Sequence, residues 1–562
     1  MTSDKKTVSL LADLFVKKGL SDIVISPGSR NAPIILAFAN HPEINAISVV
    51  DERSAAFFAM GMAQQKGKAV AIACTSGSAA LNYAPAIAEA FYQKIPLLVL
   101  TADRPPHLID VGDGQTIRQE NVFANFIKKS YQLPLDVDSE DELSEVNRQL
   151  NEAIQHTRFP ESGPVHVNIP FDEPLYQTVS KGAEAEMIDF DGDEQSDLES
   201  LKARFLADWQ KSQRVMILVG QGVKDPLLNE VLIQLSENKN AVVLTETTSN
   251  LNSTAFVDCI DNVLSTFDDD ENFDFQPDML ITLGNAIVSK KIKKYLRNYR
   301  PKSHWHLSRP GEKRDTYFAL TQSPAVDPVS FLGELNSILP AKEEKFSYLW
   351  MRRKQKVTQL REQYLTELGW SDLKVFEVLL KRIPEDSILH LGNSTPVRYS
   401  QLFGSLPRFQ YFSNRGVSGI DGQLSTAAGS AYANGKINSI ITGDLGFFYD
   451  SNALMNQNLS FNLKIIVINN GGGGIFRFIP GPDSSNQLEK FFEARHSWKA
   501  EFLAKAFDVN YFQAHDENDL RKVLPLFYAE DARPALLEIF TPSEVNATIL
   551  RDYFSFLKTA SH

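Results

Sequence analysis

The sequence predicts an α/β protein of three consecutive open parallel-sheet domains with helices on both faces. Three observations carry this. Apolar runs of strand length alternate with helical periods from Thr7 onward. The alternation restarts twice, each time after a charged stretch, at 183–200 and at 342–368. A length of 562 residues corresponds to about three or four domains.

In the first block the periods predict a helix over 8–18, a strand over 22–25, a helix over 32–39 and a strand over 44–50. A helix over 52–66, a strand over 69–74, a helix over 78–93 and a strand over 96–101 follow. The second block has strands at 215–219, 241–244, 279–283 and 304–307. The third, after a segment at 342–368 that reads as helical, has them at 388–391, 409–412, 439–442, 464–468 and 535–539. The expected domains are therefore 1–182, 201–341 and 369–562, with linkers at 183–200 and 342–368.

Composition narrows the function. With 57 Lys+Arg against 70 Asp+Glu, the net charge is −13 and no basic stripe is present, so nucleic acid is an unsuitable partner. No apolar run approaches the ~20 residues of a membrane span, and MTSDKKTVSLLADLF lacks the apolar core of a signal peptide. The two cysteines, Cys74 and Cys259, are too few for a disulfide framework or a Cys-based zinc site. A cytoplasmic protein without membrane insertion is expected.

Ligands of open α/β sheets bind beyond the carboxyl ends of the strands. In block one those ends carry SPGSR (26–30), DER (51–53), TSG (75–77) and TADRPP (101–106). In block three they carry LGNS (391–394), SNRG (413–416), GDL (443–445) and NNGGGG (469–474). The middle block offers only GQG, TETTS, LGN and SRPG. Asp444 and Asn470 follow successive strands, and two oxygen ligands so placed converge readily on one hard cation. The glycines after Asn470 would let backbone carbonyls and amides approach that ion and a diphosphate, with Gly472 as a third metal-binding position.

The GD motif with its downstream Asn470 resembles the diphosphate–magnesium motif of thiamine-diphosphate (ThDP) enzymes. More closely, ISPGSRNAP, DERSA, TADRPP, GQTIRQ, SNRGVSGIDG and GDLGFFYD are similar to the ThDP-dependent synthases of menaquinone biosynthesis. The resemblance spans about residues 26–481 and matches the middle block only weakly. It implies pyrimidine-binding, central and diphosphate-binding domains, in that order. It also implies ThDP with Mg2+ or Mn2+ as cofactors, and a homodimer or dimer of dimers. The implied reaction decarboxylates 2-oxoglutarate and adds the succinyl unit in a 1,4 sense to isochorismate, retaining the enolpyruvyl group.

The same resemblance assigns roles. Glu52, opening a helix just past a strand, would hydrogen-bond N1′ of the aminopyrimidine. Gln115 stands where many ThDP enzymes have histidine, and would orient rather than transfer a proton. Ser29, Arg30, Arg104, Lys290 and Lys291 would face isochorismate; Ser394, Arg398 and Arg415 would hold the succinyl carboxylate. Ile420 would prop the cofactor rings, Phe476 would form an apolar wall, and Gly443, Asp444 and Asn470 would bind the diphosphate end. None of the ten histidines lies in a motif. Lys291 stands where Arg is expected, so bidentate geometry is lost there; Leu445 replaces the general motif's Gly but matches the narrower synthase group. Two rivals remain: a flavin-binding acetolactate-synthase-like carboligase and a non-catalytic metabolite sensor. Gly220 and Gly222 are followed by Asp225 where a dinucleotide fingerprint needs a third glycine, which disfavours the first. Retention of Glu52, Asp444 and Asn470 together disfavours the second.

Overall fold

Runs such as Val215–Val219 and Val70–Cys74 are apolar and buried at every position, as strands covered by helices on both sides must be. The structure, a computed structural model, describes residues 1–188, 198–340, 342, 345–477, 481 and 486–561. Most of the acidic stretch expected as a linker, residues 189–197, lies outside the described residues, as do 341 and 562 at the expected domain ends.

The first sheet contains β1 (Asp22–Ile25), β2 (Asn45–Ser48), β3 (Val70–Cys74), β4 (Leu97–Asp103), β5 (Ser130–Gln132) and β6 (Pro164–Pro170). Its order is β2-β1-β3-β4-β6-β5, all parallel. The middle sheet contains β7 (Val215–Val219), β8 (Ala241–Thr245), β9 (Met279–Leu283) and β10 (Ser303–His306), in the order β8-β7-β9-β10. The third contains β11 (Ser387–Leu391), β12 (Phe409–Phe412), β13 (Asn438–Gly443), β14 (Leu463–Asn469), β15 (Asn510–Ala514) and β16 (Ala535–Phe540). Its order, β12-β11-β13-β14-β16-β15, repeats that of the first sheet, and the middle sheet is the same pattern without its last two strands. Each order reverses between its first and third strands, which opens a crevice at the carboxyl end.

Alternate residues of the first sheet face different cores. Ala71, Leu98 and Leu100 pack under the first block's own helices, whereas Val70, Ile72, Leu97 and Val99 share a core with Ile440, Ile465 and Val467 of the third sheet. Two helices form the seam: α1 (Glu52–Lys66) and, from the third block, Gln423–Ala433. Their backbones nearly touch. A Cβ on Gly61 would stand 2.0 Å from the carbonyl oxygen of Thr426, and one on Gly429 would stand 1.9 Å from that of Phe58. Only glycine permits this approach.

Several elements differ from the sequence reading. The helix expected over 78–93 is broken into Ser78–Asn82 and α2 (Ala84–Gln93), because Pro85 lacks an amide to continue the ladder and suits a first turn. Strands β5, β6 and β15 were not predicted by the periodicity. In β6, His166 and Asn168 break the apolar pattern, yet both are buried and bonded, to Thr101 at 2.7 Å each. Residues 183–188 pack on the first block: the amides of Ala185, Glu186 and Ile188 donate to Asp13, Asn147 and Asn151. The middle block contributes α3 (Lys290–Asn298) beside its sheet. The segment expected to be helical at 342–368 forms α4 (Phe346–Thr366), whose Trp350 enters a middle-block core while Leu360 and Leu365 enter the third. We designate the seam helix Gln423–Ala433 as α5.

Candidate active site

The carboxyl edge of the third sheet is built by neighbouring strands. Gly443 at the end of β13 pairs with Ile468 of β14, so Asp444 and Asn470 emerge side by side. Asp444 is buried; its Oδ2 accepts the amides of Gly471 (2.8 Å) and Gly472 (2.9 Å), and its Oδ1 that of Leu445 (2.6 Å). Asn470 donates its amide nitrogen to Asp372 Oδ2 at 3.2 Å, which leaves Oδ1 as its free acceptor. Asp372 is in turn held by Thr541 Oγ1 at 2.6 Å, and burial pushes its carboxyl up to about 6. These groups border a cavity of about 180 Å³ with Ser394, Ile420, Gly443 and Phe476 on its walls.

The glycine run behaves differently from expectation. Gly471 and Gly472 donate to Asp444, Gly473 to the carbonyl of Glu493 and Gly474 to that of Gly472. A buried carboxylate and buried carbonyls take the nearest amides, so this run offers the cavity carbonyl oxygens and space rather than amide donors. A histidine outside every motif also approaches this edge: His496 Nε2 lies 3.4 Å from Asp444 Oδ2, with its ring stacked on Trp498. Nothing in the sequence marks it, because it arrives from a loop beyond β14.

A divalent ion fits this edge. The donor set of Asp444 carboxylate, Asn470 amide oxygen and Gly472 carbonyl is all oxygen, as a hard cation requires. A Cβ built on Gly443 would meet nothing within 4 Å, so open space adjoins the carboxylate. Among the described residues no group of three or more His, Cys, Asp or Glu could hold a metal, so any ion here relies on one carboxylate plus neutral oxygens.

Beside this cavity stand the third block's arginines. Ser394 opens its helix in the left-handed region, with φ 76°, a conformation uncommon outside glycine and typical of functional turns. Arg398 donates to the Ser394 carbonyl, and Arg415 Nη1 donates to Asn393 Oδ1 at 2.8 Å. Burial lowers both guanidinium pKa values; Arg415 adds to the effect at Arg398, while Glu246 and Glu89 oppose it at Arg415. Arg415 Nε is buried with no partner, so the side chain keeps donors for a ligand. Glu246 itself accepts the amides of Val288 and Ser289, 2.7 Å each, just ahead of α3, and burial pushes its carboxyl up to about 7. Of the expected lysines on α3, Lys290 is exposed and Lys291 lies 3.5 Å from the centre of the Phe554 ring. The lysine that lines a cavity of about 340 Å³ together with Arg415 is Lys293, which sequence reasoning missed.

The first sheet's edge holds the other group. Glu52 opens α1 behind the N-cap Asp51, whose side chain accepts from Ser54 N at 2.9 Å; burial, with Asp51 adding, raises the Glu52 pKa. Arg30 is 6 % exposed and donates to the Phe171 carbonyl at 2.9 Å, while Ser29 beside it is exposed. Arg104 faces Asp113 at 3.7 Å and has a buried, unpartnered Nε. Gln115, at φ 60°, donates to the Ser76 carbonyl at 3.2 Å. Gln119, four residues on and fully buried, ties the turn after β3 to strands β4 and β6 by accepting from Gly77 N and donating to Ala102 O and Asn168 Oδ1. It lies in the GQTIRQ motif, which was the signal for it. Within one chain the Asp444 cavity is lined by third-block residues, and Glu52 does not reach it.

Residues 5–124 match the thiamine pyrophosphate enzyme N-terminal TPP binding domain, and residues 392–539 match the C-terminal TPP binding domain. A 2-succinyl-5-enolpyruvyl-6-hydroxy-3-cyclohexene-1-carboxylate (SEPHCHC) synthase of Flavobacterium johnsoniae is 44% identical over 96% of this chain and 97% of its own length. The chain belongs to the SEPHCHC synthase family. Other SEPHCHC synthases agree: that of Porphyromonas gingivalis is 41% identical over 100% of this chain and 98% of its own, and that of Bacteroides thetaiotaomicron 38% over 99% and 100%. As a SEPHCHC synthase family member with both binding domains, the chain is a ThDP-dependent transferase. After β7 the Asp225 carboxylate accepts the amides of Leu227 and Leu228, 3.0 Å each, so the helix end that a pyrophosphate would use is already capped. Among the described residues no helix is long and apolar enough to cross a membrane.

Proposed function

We propose that this chain decarboxylates 2-oxoglutarate and adds the resulting succinyl unit to isochorismate in a 1,4 sense. The product is SEPHCHC with its enolpyruvyl group retained, in menaquinone biosynthesis. The observation that carries this reading is the third-sheet edge: an all-oxygen cation site at Asp444 and Asn470, with Arg415 bonded to Asn393 of the same cavity wall and its Nε left without a partner among the described residues. Substrates with two carboxylates each require such a cationic wall in a chain of net charge −13.

In this reading 1–182 is the pyrimidine-binding domain, 201–341 the central domain and 369–562 the diphosphate domain. Mg2+ or Mn2+ is held by Asp444, Asn470 and the Gly472 carbonyl. ThDP, when bound, supplies the carbon acid and electron sink that a 2-oxo acid needs to lose CO2. The chain's own residues bind, orient and exclude water. Glu52 holds a proton against N1′ of the aminopyrimidine, a task suited to its raised pKa. Arg398 and Arg415, with Ser394, receive the distal carboxylate of 2-oxoglutarate. Ser29, Arg30 and Arg104, with Lys290 and Lys291, face isochorismate. Gln115 orients substrate by hydrogen bonds, while Ile420 and Phe476 wall off water. Because Glu52 does not line the Asp444 cavity within one chain, the complete site in this reading joins the first block of one subunit to the third block of another. The assembly is thus a cytoplasmic homodimer or dimer of dimers.

The test is an assay with isochorismate and 2-oxoglutarate, run with and without ThDP and Mg2+. Consumption of both substrates only when both cofactors are present supports the reading, and ThDP-independent turnover or none at all overturns it. Two further results follow. Arg415→Ala should raise KM for 2-oxoglutarate by about 10–100-fold, the loss of one or two charge-assisted hydrogen bonds, and change KM for pyruvate far less. Equal changes for both acids would remove the clamp assignment. The purified protein should also be colourless, since Asp225 caps the middle-block helix; a flavin band in its visible spectrum would favour the acetolactate-synthase-like rival.

A further inference from the structure

The loop carrying Arg415 runs from Ser413 to Gly419 beyond β12, and its backbone is gripped from another sheet. Glu89, on α2 of the first block and 1 % exposed, accepts the amide of Gly416 at 2.6 Å on one carboxylate oxygen and that of Val417 at 2.8 Å on the other. Gln93, one turn later, donates to the same carboxylate at 2.6 Å. The Gln93 side-chain oxygen accepts from Gln221 Nε2 of the middle block at 2.9 Å, and that nitrogen also donates to the Ser413 carbonyl at 2.8 Å. All three blocks therefore meet on one short loop. The contact is close enough to exclude a side chain, since a Cβ on Gly416 would stand 2.6 Å from the Glu89 carbonyl oxygen.

The charges add a second argument. A buried carboxylate ordinarily needs a partner charge, and after Glu246 it is Glu89 that contributes electrostatically to Arg415, which is 9 % exposed. Yet it does not touch the guanidinium. Its oxygens bind the backbone just past Arg415, so it adds counter-charge while the Arg415 guanidinium, among the described residues, is bonded only through Nη1 to Asn393. A direct ion pair would have occupied the donors that a substrate carboxylate needs.

We propose that Glu89 is a positioning residue for recognition of the distal carboxylate of 2-oxoglutarate: by holding the amides of Gly416 and Val417 it fixes Arg415 in place with its donors free. This rests on the reading that Arg415 receives that carboxylate.

Glu89→Gln keeps the shape but removes the charge and sets an amide group against one loop amide. It should raise KM for 2-oxoglutarate about tenfold while kcat and KM for isochorismate stay within about twofold. Amide hydrogen exchange in the 413–419 peptide, followed by mass spectrometry, should quicken. Gly416→Ala attacks the same contact from the loop side and should reproduce both effects; if Glu89→Gln does not fold, this variant decides. Faster exchange with an unchanged KM overturns the proposal, because the clamp would then not depend on the loop. Unchanged exchange overturns it too, because the carboxylate would not be holding the loop. Arg415→Ala run in parallel separates the two failures. If it leaves KM for 2-oxoglutarate unaltered, the reading of the site is wrong; if it raises KM while Glu89→Gln does not, only the role of Glu89 falls.

Discussion

Glu52→Gln is expected to lower kcat by at least about a hundredfold, the usual contribution of a positioned proton-transfer group. The substitution is nearly isosteric and leaves the Asp51 cap of α1 in place, so the helix and its seam with α5 should survive. What is lost is the ability to hold and release a proton. Glu52 is suited to that ability because burial, with the adjoining Asp51 adding, raises its pKa. Glutamine still donates and accepts hydrogen bonds but does not titrate. Steady-state turnover with both substrates, beside a thermal melt of each protein, checks this. Near-wild-type kcat in a folded variant would falsify the proton role.

Asp444→Asn should weaken divalent-cation affinity by at least about a hundredfold, more than loss of a supporting partner costs a metal site. The physical basis is twofold. Asp444 is the single carboxylate of the proposed donor set, so its replacement removes the only anionic side chain that lines this cavity among the described residues. Its oxygens also accept three amides, from Leu445, Gly471 and Gly472. An Asn amide group must set its own donors against at least one of these, an unsatisfied contact costing about 1–3 kcal/mol. The variant should therefore release ThDP and Mg2+ on gel filtration and melt at a lower temperature even without cofactor. Retention of both at wild-type levels would place the cation elsewhere.

Much of this arrangement was legible in the chain. Strands β1, β7, β9 and β12 coincide with apolar runs read directly, because a strand covered on both faces writes its burial as continuous hydrophobicity. The residues that follow those runs named both chemically loaded edges, since chemistry in such sheets collects at strand ends. Strand β6 was hidden for the opposite reason. Its His166 and Asn168 look like loop residues until Thr101, Asp103 and Gln119 satisfy them from other segments. His496, Asp372 and Glu246 were equally silent, single polar residues whose partners lie far away in sequence.

By itself, then, the sequence determined the three-sheet class and the pairing of Asp444 with Asn470, together with the family to which both belong. Local periodicity and motif chemistry are written along the chain, so no folding is needed to read them. Only the tertiary structure decided which lysine of α3 lines a cavity with Arg415, that the glycine amides close on Asp444, and that Glu89 reaches across to the loop beyond β12. Those choices depend on distances between blocks that meet through close helix packing, and no spacing along one strand of text encodes them.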